Sequence, residues 1–156
     1  MILSTHYAVG MAIASQTDYW LLMPIASLIS HFVLDRIPHW EYLDSSKQIK
    51  NNIPIIALDL LFPATVSLML FANGILDFKE LFWLNLGGFF GILPDGLVFL
   101  KIVTRSKNAW LKGFFKFHRK NHTLKNLKPF WGALSQAIII VTCLGLISIA
   151  KNIGIG

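Results

Sequence analysis

His31 and Asp35 stand four residues apart in Ser30-His31-Phe32-Val33-Leu34-Asp35, and His118 and His122 repeat that spacing in His118-Arg119-Lys120-Asn121-His122. Residues four apart share one face of a helix, so each pair can bring two donors to one point, as when a single helix gives two ligands to one metal ion. His39 extends the first series by another four residues, although Pro38 argues against a helix running unbroken past Ile37. His6, Asp59 and Asp95 are set in otherwise apolar sequence. Imidazole nitrogens and carboxylate oxygens together form a donor set that suits zinc, manganese or iron. Taken singly, each of these residues is more simply a helix cap, an interfacial anchor or an interhelical hydrogen bond. The metal reading is carried by the set.

The elements that must position these groups follow from composition. The 156 residues are 54% apolar and only 14% charged, with a mean hydropathy of +0.59, too apolar for an ordinary soluble domain of this size. No linker or low-complexity tract divides the chain, which implies one domain over 1–156. Two segments are long and apolar enough to span a bilayer: 53–73, whose one charge is Asp59, and 130–150, which has none. Segment 80–100 carries only Asp95 within its apolar part, while 19–36 is slightly short and charged only at its far end. Residues 2–15 fall below the roughly 20 needed to cross, so they would do so only by tilting or by sharing depth with protein. Asp18 is a candidate cap for the second helix, Pro54 suits a first turn, and Asp77 with Glu80 has capping-box spacing before the fourth. Gly87, Gly88 and Gly91 offer a small face for close helix approach, which points to the fourth helix as central. The expected fold is all-α, a polytopic membrane bundle of about five apolar helices with an amphipathic interfacial helix over about 108–123.

Charge sets the expected orientation. If the first segment crosses, Arg36, Lys47 and Lys50 share a side with all nine basic residues of 101–128, and only Lys79 and Lys151 fall opposite. The positive-inside rule makes the richer side, with the long loop 101–128, cytoplasmic. The net charge of +6 is then matched to lipid headgroups, and nucleic acid is not expected as a partner. Within that loop Trp110, Leu111, Phe114, Phe115, His118 and His122 fall on one helical face, and Lys112, Lys116, Arg119 and Lys120 on the other. With this topology His6, His31, Asp35, Asp59 and Asp95 all lie near the cytoplasmic ends of their helices, on the order of 8 Å or less inside. Such groups cost roughly 2.5–3.5 kcal/mol each at mid-membrane, so a shared depth calls for a reason. The outer halves of the spans offer mainly Asn85, Thr65, Ser67 and Gln136 as polar stations. The five tryptophans sit near span ends, where aromatic belts place them. Cys143 has no partner and reads as packing. The N-terminus lacks the basic region of a cleaved signal and is expected to remain.

Ser4-Thr5-His6, Ser30-His31-Phe32-Val33-Leu34-Asp35, Leu93-Pro94-Asp95 and His118-Arg119-Lys120-Asn121-His122-Thr123 resemble the motifs of small bacterial membrane-bound metal-dependent hydrolases. That family includes the LexA-binding inner-membrane type and is similar, distantly, to the zinc-dependent phospholipase C group. Here the Ser-His-x-x-x-Asp element comes second, Leu-Pro-Asp is followed by Gly96 and Leu97 in place of a further Asp-His, and the paired histidines are four apart where five is expected. The resemblance implies an inner-membrane hydrolase with His6, His31, Asp35, Asp95, His118 and His122 as metal candidates, zinc foremost. His39 and Asp59 enter only through depth and spacing. The resulting expectation is hydrolysis of a phosphoester or lipid-linked substrate at the cytoplasmic face, with Asp95 or Asp59 as general base and Lys116, Arg119 and Lys120 holding phosphate. The alternatives are a divalent-metal or proton transporter, and a non-catalytic membrane anchor or scaffold.

Overall fold

The computed structural model of the chain describes residues 2–40, 52–123 and 127–153. Among them are six α-helices and no strand: α1 (Leu3–Ala14), α2 (Leu22–Leu34), α3 (Ile53–Ala72), α4 (Phe78–Thr104), α5 (Ala109–Asn121) and α6 (Pro129–Asn152). Lys47, Lys50 and Lys125, which enter the charge split, lie outside the described residues. The all-helical class agrees with the sequence. Three helices, α3, α4 and α6, are long and apolar enough to cross a membrane, fewer than the five apolar helices expected.

The shortfall has local causes. Pro24 lacks an N–H and is tolerated only in a first turn, so α2 starts at Leu22 and has 13 residues, about 20 Å at 1.5 Å per residue. Its N-cap is Leu21, with no side-chain cap, so Asp18 does not have the capping role its position suggested. The fourth-helix expectation is closer. Glu80 N–H donates to Asp77 Oδ1 (2.8 Å) and Asp77 N–H to Glu80 Oε2 (2.6 Å), a complete capping box. From there α4 runs 27 residues, through Pro94, and stops at Arg105 with φ 52° in the left-handed region.

The centre of the bundle is shared by α4, which packs against α1, α2, α3 and α5, and by the more deeply buried α1. Nine of its twelve residues are buried, and α2, α3, α4 and α6 all pack against it. Sequence hydropathy cannot distinguish an apolar segment enclosed by protein from one facing lipid, and α1 is of the first kind. The glycine face of α4 is what lets it approach. A Cβ placed on Gly87 would lie 2.4 Å from the Gly10 carbonyl oxygen, and one on Gly91 2.5 Å from that of His6. The two backbones therefore meet where no larger residue fits, and His6 is held beside Gly91.

Polar and apolar residues are distributed inside out relative to a soluble domain. Ser4, Thr5, His6, Ser27, His31, Asp35, Ser67 and Gln136 are buried, while Ile25, Ile29, Val33, Leu58, Leu61, Phe62, Leu68, Met69, Ile138, Val141 and Ile149 are exposed. Exposed apolar area on this scale is untenable in water. Together with the three long apolar helices it suggests a membrane protein, in which lipid covers the outside and the interior must satisfy its own polar groups. Tyr7 Oη donates to Asn85 Oδ1 (2.6 Å), which also accepts from Ser67 Oγ (3.1 Å), tying α1, α3 and α4 together at mid-bundle.

Candidate metal centre

Four elements bring donors to one end of the bundle: the start of α1 (His6), the end of α2 (His31 and Asp35), the second half of α4 (Asp95) and the end of α5 (His118 and His122). Asp35 is the hub, and its side chain is almost wholly buried. Its Oδ2 lies 3.2 Å from His31 Nε2 and 3.4 Å from His118 Nε2, while its Oδ1 lies 3.1 Å from His6 Nε2 and 3.7 Å from His122 Nε2. Asp95 Oδ1 is 3.2 Å from His118 Nε2 and 3.8 Å from His31 Nε2. The two imidazoles approach each other directly, Nε2 to Nε2, at 3.1 Å. The i,i+4 pairs of the sequence thus face one another across the α2–α5 contact, where Phe32 and Phe117 pack edge to face with ring centroids 5.4 Å apart.

Backbone carbonyls fix which nitrogen faces the centre. A carbonyl only accepts, so His31 Nδ1 must carry its proton to donate to the Gly91 oxygen (2.8 Å), His39 Nδ1 to that of Ile37 (2.7 Å), and His122 Nδ1 to that of Thr123 (3.0 Å). In each neutral ring Nε2 is left as a lone pair. This is the outer-shell orientation found around metal-ligating histidines. Without a proton or a cation between them, the facing lone pairs of His31 and His118 repel. His31, Asp35, Asp95 and His118 offer ligand atoms within 4.8 Å of one another, and so, as a second group, do Asp35, His39 and His122. Both groups fit a transition-metal cation in donor type and number.

His39 reaches the centre from a turn. The helix ends at Leu34 with Asp35 as its C-cap, and Arg36 and Ile37 continue as turns bonded to Val33 and Leu34. Pro38 then redirects the chain, which explains why the four-residue series survives while the helix does not. This segment is fastened to the region following α5: Thr123 N–H donates to the Asp35 carbonyl (2.8 Å), Leu127 N–H to that of His39 (3.0 Å), and Arg36 Nη2 to Asn121 Oδ1 (2.9 Å). Lys101 Nζ sits 4.3 Å from the centroid of the Phe115 ring, holding α5 against the end of α4.

Other sequence candidates are placed differently. Asp59, read as a possible general base, accepts from the Leu3 N–H (2.7 Å, Oδ2) and the Ser4 N–H (3.2 Å, Oδ1). Its carboxylate faces the unsatisfied donors at the α1 N-terminus, and it belongs to neither donor group. His6 touches Asp35 and stacks on His31 at 4.2 Å between centroids, but it too lies outside both groups. Lys116, Arg119 and Lys120 are exposed on the outer face of α5. The inward face is as the periodicity implied, with His118 buried and Leu111, Phe114, Phe115 and His122 partly buried, except that Trp110 is exposed.

Gln136 is not in the outer half of its span, where sequence counting assigns it. It lies in the second turn of α6, at the same end as the donors, and its Oε1 accepts from Ile2 N–H (2.9 Å) while its Nε2 donates to the carbonyls of Trp40 (3.0 Å) and Gly132 (3.1 Å). Gly132 makes room for Trp40, whose Cβ would be 2.0 Å from a Cβ placed there. Trp83 is no mere interfacial residue, since its indole N–H bonds the carbonyls of Ala14 and Thr17. The backbone acceptors at Gly91, Ile37 and Thr123 had no sequence signal beyond the glycine itself. No family model matches the chain, and neither does a curated protein or a solved structure. The site must be read from its own geometry.

Proposed function

We propose that this protein is a membrane-embedded, metal-dependent hydrolase acting on a phosphoester, carried by a lipid or lipid-linked molecule, at the cytoplasmic face of a bacterial-type inner membrane. The observation that carries the reading is the approach of His31 Nε2 and His118 Nε2 to 3.1 Å beside the carboxylates of Asp35 and Asp95. Zinc is the first candidate, with manganese or iron also compatible with the donors. A bound divalent ion would supply Lewis acidity and a water ionised near neutral pH.

The chain's own residues do the rest. Asp35 and the histidines bind, with rings oriented by the Gly91, Ile37 and Thr123 carbonyls. Asp95 turns Oδ1 toward the histidines and has a second oxygen to take a proton from water. In the reaction the water oxygen bonds to phosphorus, the ester P–O bond breaks, and the proton ends on the departing alcohol. Lys116, Arg119 and Lys120 supply positive charge at headgroup level. The twelve-to-two split of basic residues supports a cytoplasmic placement of this end. The resemblance to membrane-bound hydrolases supports the same class.

A transporter is less well supported, because the polar groups at mid-bundle, Tyr7, Asn85 and Ser67, are bonded to one another. The test is hydrolysis of a phospholipid-type phosphoester by purified protein in detergent or vesicles. Activity is expected to vanish on chelation, return with Zn²⁺ or Mn²⁺, and be lost in Asp35→Ala. Chelator-sensitive flux of divalent ions without hydrolysis would favour the transporter, and neither activity would favour an anchor.

A further inference from the structure

We propose that the end of the bundle opposite the His/Asp cluster holds a membrane phospholipid with a primary-ammonium headgroup, seated in a cavity between α1, α4 and α6. This site is independent of the metal reading. The cavity encloses about 200 Å³ where the end of α1, the start of α4 and the last turns of α6 meet. Its floor is apolar, made of Leu76, Leu84, Ile147 and Ala150, all buried. Its mouth is charged, with Asp18, Asp77 and Lys79 exposed. Because α4 begins at Phe78 and α6 ends at Asn152, the mouth lies where two spanning helices end, at headgroup level. Leu84 stands seven residues beyond Asp77, about 10 Å deeper along α4 at 1.5 Å per residue. The cavity therefore runs from headgroup depth to acyl-chain depth.

Size and charge together select the occupant. Sites that enclose a whole small ligand run about 300–1,000 Å³, so this cavity takes part of a longer molecule, and its apolar floor takes a hydrocarbon part. The polar part must answer the mouth. Glu80 is already satisfied, since its Oε1 accepts from Lys151 Nζ and its Oε2 from the Asp77 N–H. Asp77 Oδ1 accepts from the Glu80 N–H, but no cation reaches that carboxylate among the described residues, and the side chains of Asp18 and Lys79 make no hydrogen bond or ion pair there. The mouth is left with two negative charges and one positive charge. An ammonium donating to both carboxylates, on the same molecule as a phosphate beside Lys79, matches that arrangement. An anionic lipid would set its charge against two carboxylates, and a soluble amine would leave the floor uncovered.

Two tryptophans complete the walls. The indole N–H of Trp83 is taken by the carbonyls of Ala14 and Thr17, which holds the ring in place and leaves its carbon surface for the occupant. Trp20, two residues after Asp18, is 72% exposed at the mouth. Indole faces attract ammonium groups, and tryptophan is enriched at headgroup level. The same site gives a use to Asp18, which does not cap α2.

The experiment is native mass spectrometry of the full-length protein in detergent, equilibrated with equal amounts of phosphatidylethanolamine, phosphatidylcholine and phosphatidylglycerol of identical acyl chains. A chelator is present so that no turnover intervenes. Wild type is expected to retain phosphatidylethanolamine about three- to tenfold over each of the others, as two partly exposed charge contacts imply. Asp18→Asn/Asp77→Asn is expected to lose that preference, and it keeps the start of α4, because asparagine still accepts the Glu80 N–H. Equal retention of the three lipids by wild type, or a preference for either of the other two, would overturn the proposal. A preference undiminished in the double variant would also overturn it, by placing the lipid elsewhere, the His/Asp end included. If the double variant fails to fold, Asp18→Asn alone decides, since that side chain is exposed and bonds nothing among the described residues: a reduced preference supports the site and an unchanged one overturns it.

Discussion

Replacing Gly91 by alanine tests how the fold positions the site, because this residue joins packing to chemistry. Its missing side chain lets the α1 backbone approach, and its carbonyl sets the ring of His31. A Cβ there would lie 2.5 Å from the His6 oxygen, 0.9 Å short of the 3.4 Å at which ordinary contact begins. Both partners are helix backbone, so relief requires moving α1 against α4. Overpacking of this kind costs about 1–3 kcal/mol, and the better helix propensity of alanine returns at most about 1 kcal/mol. A net loss of about 1–2 kcal/mol is expected. The same displacement shifts His6 relative to Asp35 and loosens the bond orienting His31, and loss of an outer-shell contact typically lowers metal affinity 10–100-fold. Gly96→Ala is the control: it lies on the same helix five residues on, and a Cβ there meets nothing within 4 Å. It should be neutral or slightly stabilising. Thermal unfolding in detergent and Zn²⁺ titration would be run on both. Gly91→Ala matching Gly96→Ala in stability and affinity would refute the reasoning.

Asp59→Ala is expected to lower thermal stability by about 0.5–2 kcal/mol, the range for replacing a capping side chain by alanine, while keeping its metal; metal loss with full stability would return Asp59 to the site. Gln136→Leu removes the acceptor of Ile2 N–H and the donor to Trp40, and should cost about 1–3 kcal/mol in the same melt; an unchanged melting temperature would mean that these bonds hold nothing. Metal retention in competition with a chelator should fall as the pH drops from 7.5 to 5.5, since imidazole must be neutral to bind; a flat profile would contradict histidine ligation. Neutralising Lys116, Arg119 and Lys120 together should weaken turnover of anionic substrate, at about 1 kcal/mol per basic residue near a charged surface, and flatten its dependence on salt; unchanged kinetics would remove these residues from substrate binding.

Much of this architecture is legible in the sequence, and the illegible parts share a cause. The helices α3, α4 and α6 declare themselves by length and hydropathy, and the Asp77–Glu80 capping box by spacing. The i,i+4 pairs His31/Asp35 and His118/His122 signal that each helix turns two donors the same way, and the structure brings the pairs together. Hydropathy cannot say which apolar surface meets lipid and which meets protein, so the central place of α1 is hidden, although Gly87, Gly88 and Gly91 mark the surface it occupies. Depth along a helix does not give azimuth. Asp59 and Asp95 share a depth, yet one faces the α1 N-terminus and the other the histidines. Pro38 breaks the helix before His39, and nothing in the sequence marks the turn at Arg36 and Ile37 that delivers the ring to the same site.

Metal content is the most direct measure of a cation held by the His/Asp cluster. Elemental analysis of detergent-purified wild type beside His31→Ala/Asp35→Ala should find a stoichiometric divalent transition metal in the first and none in the second. Wild-type protein without such a metal after growth in metal-replete medium, or a double variant that retained it in full, would contradict the claim.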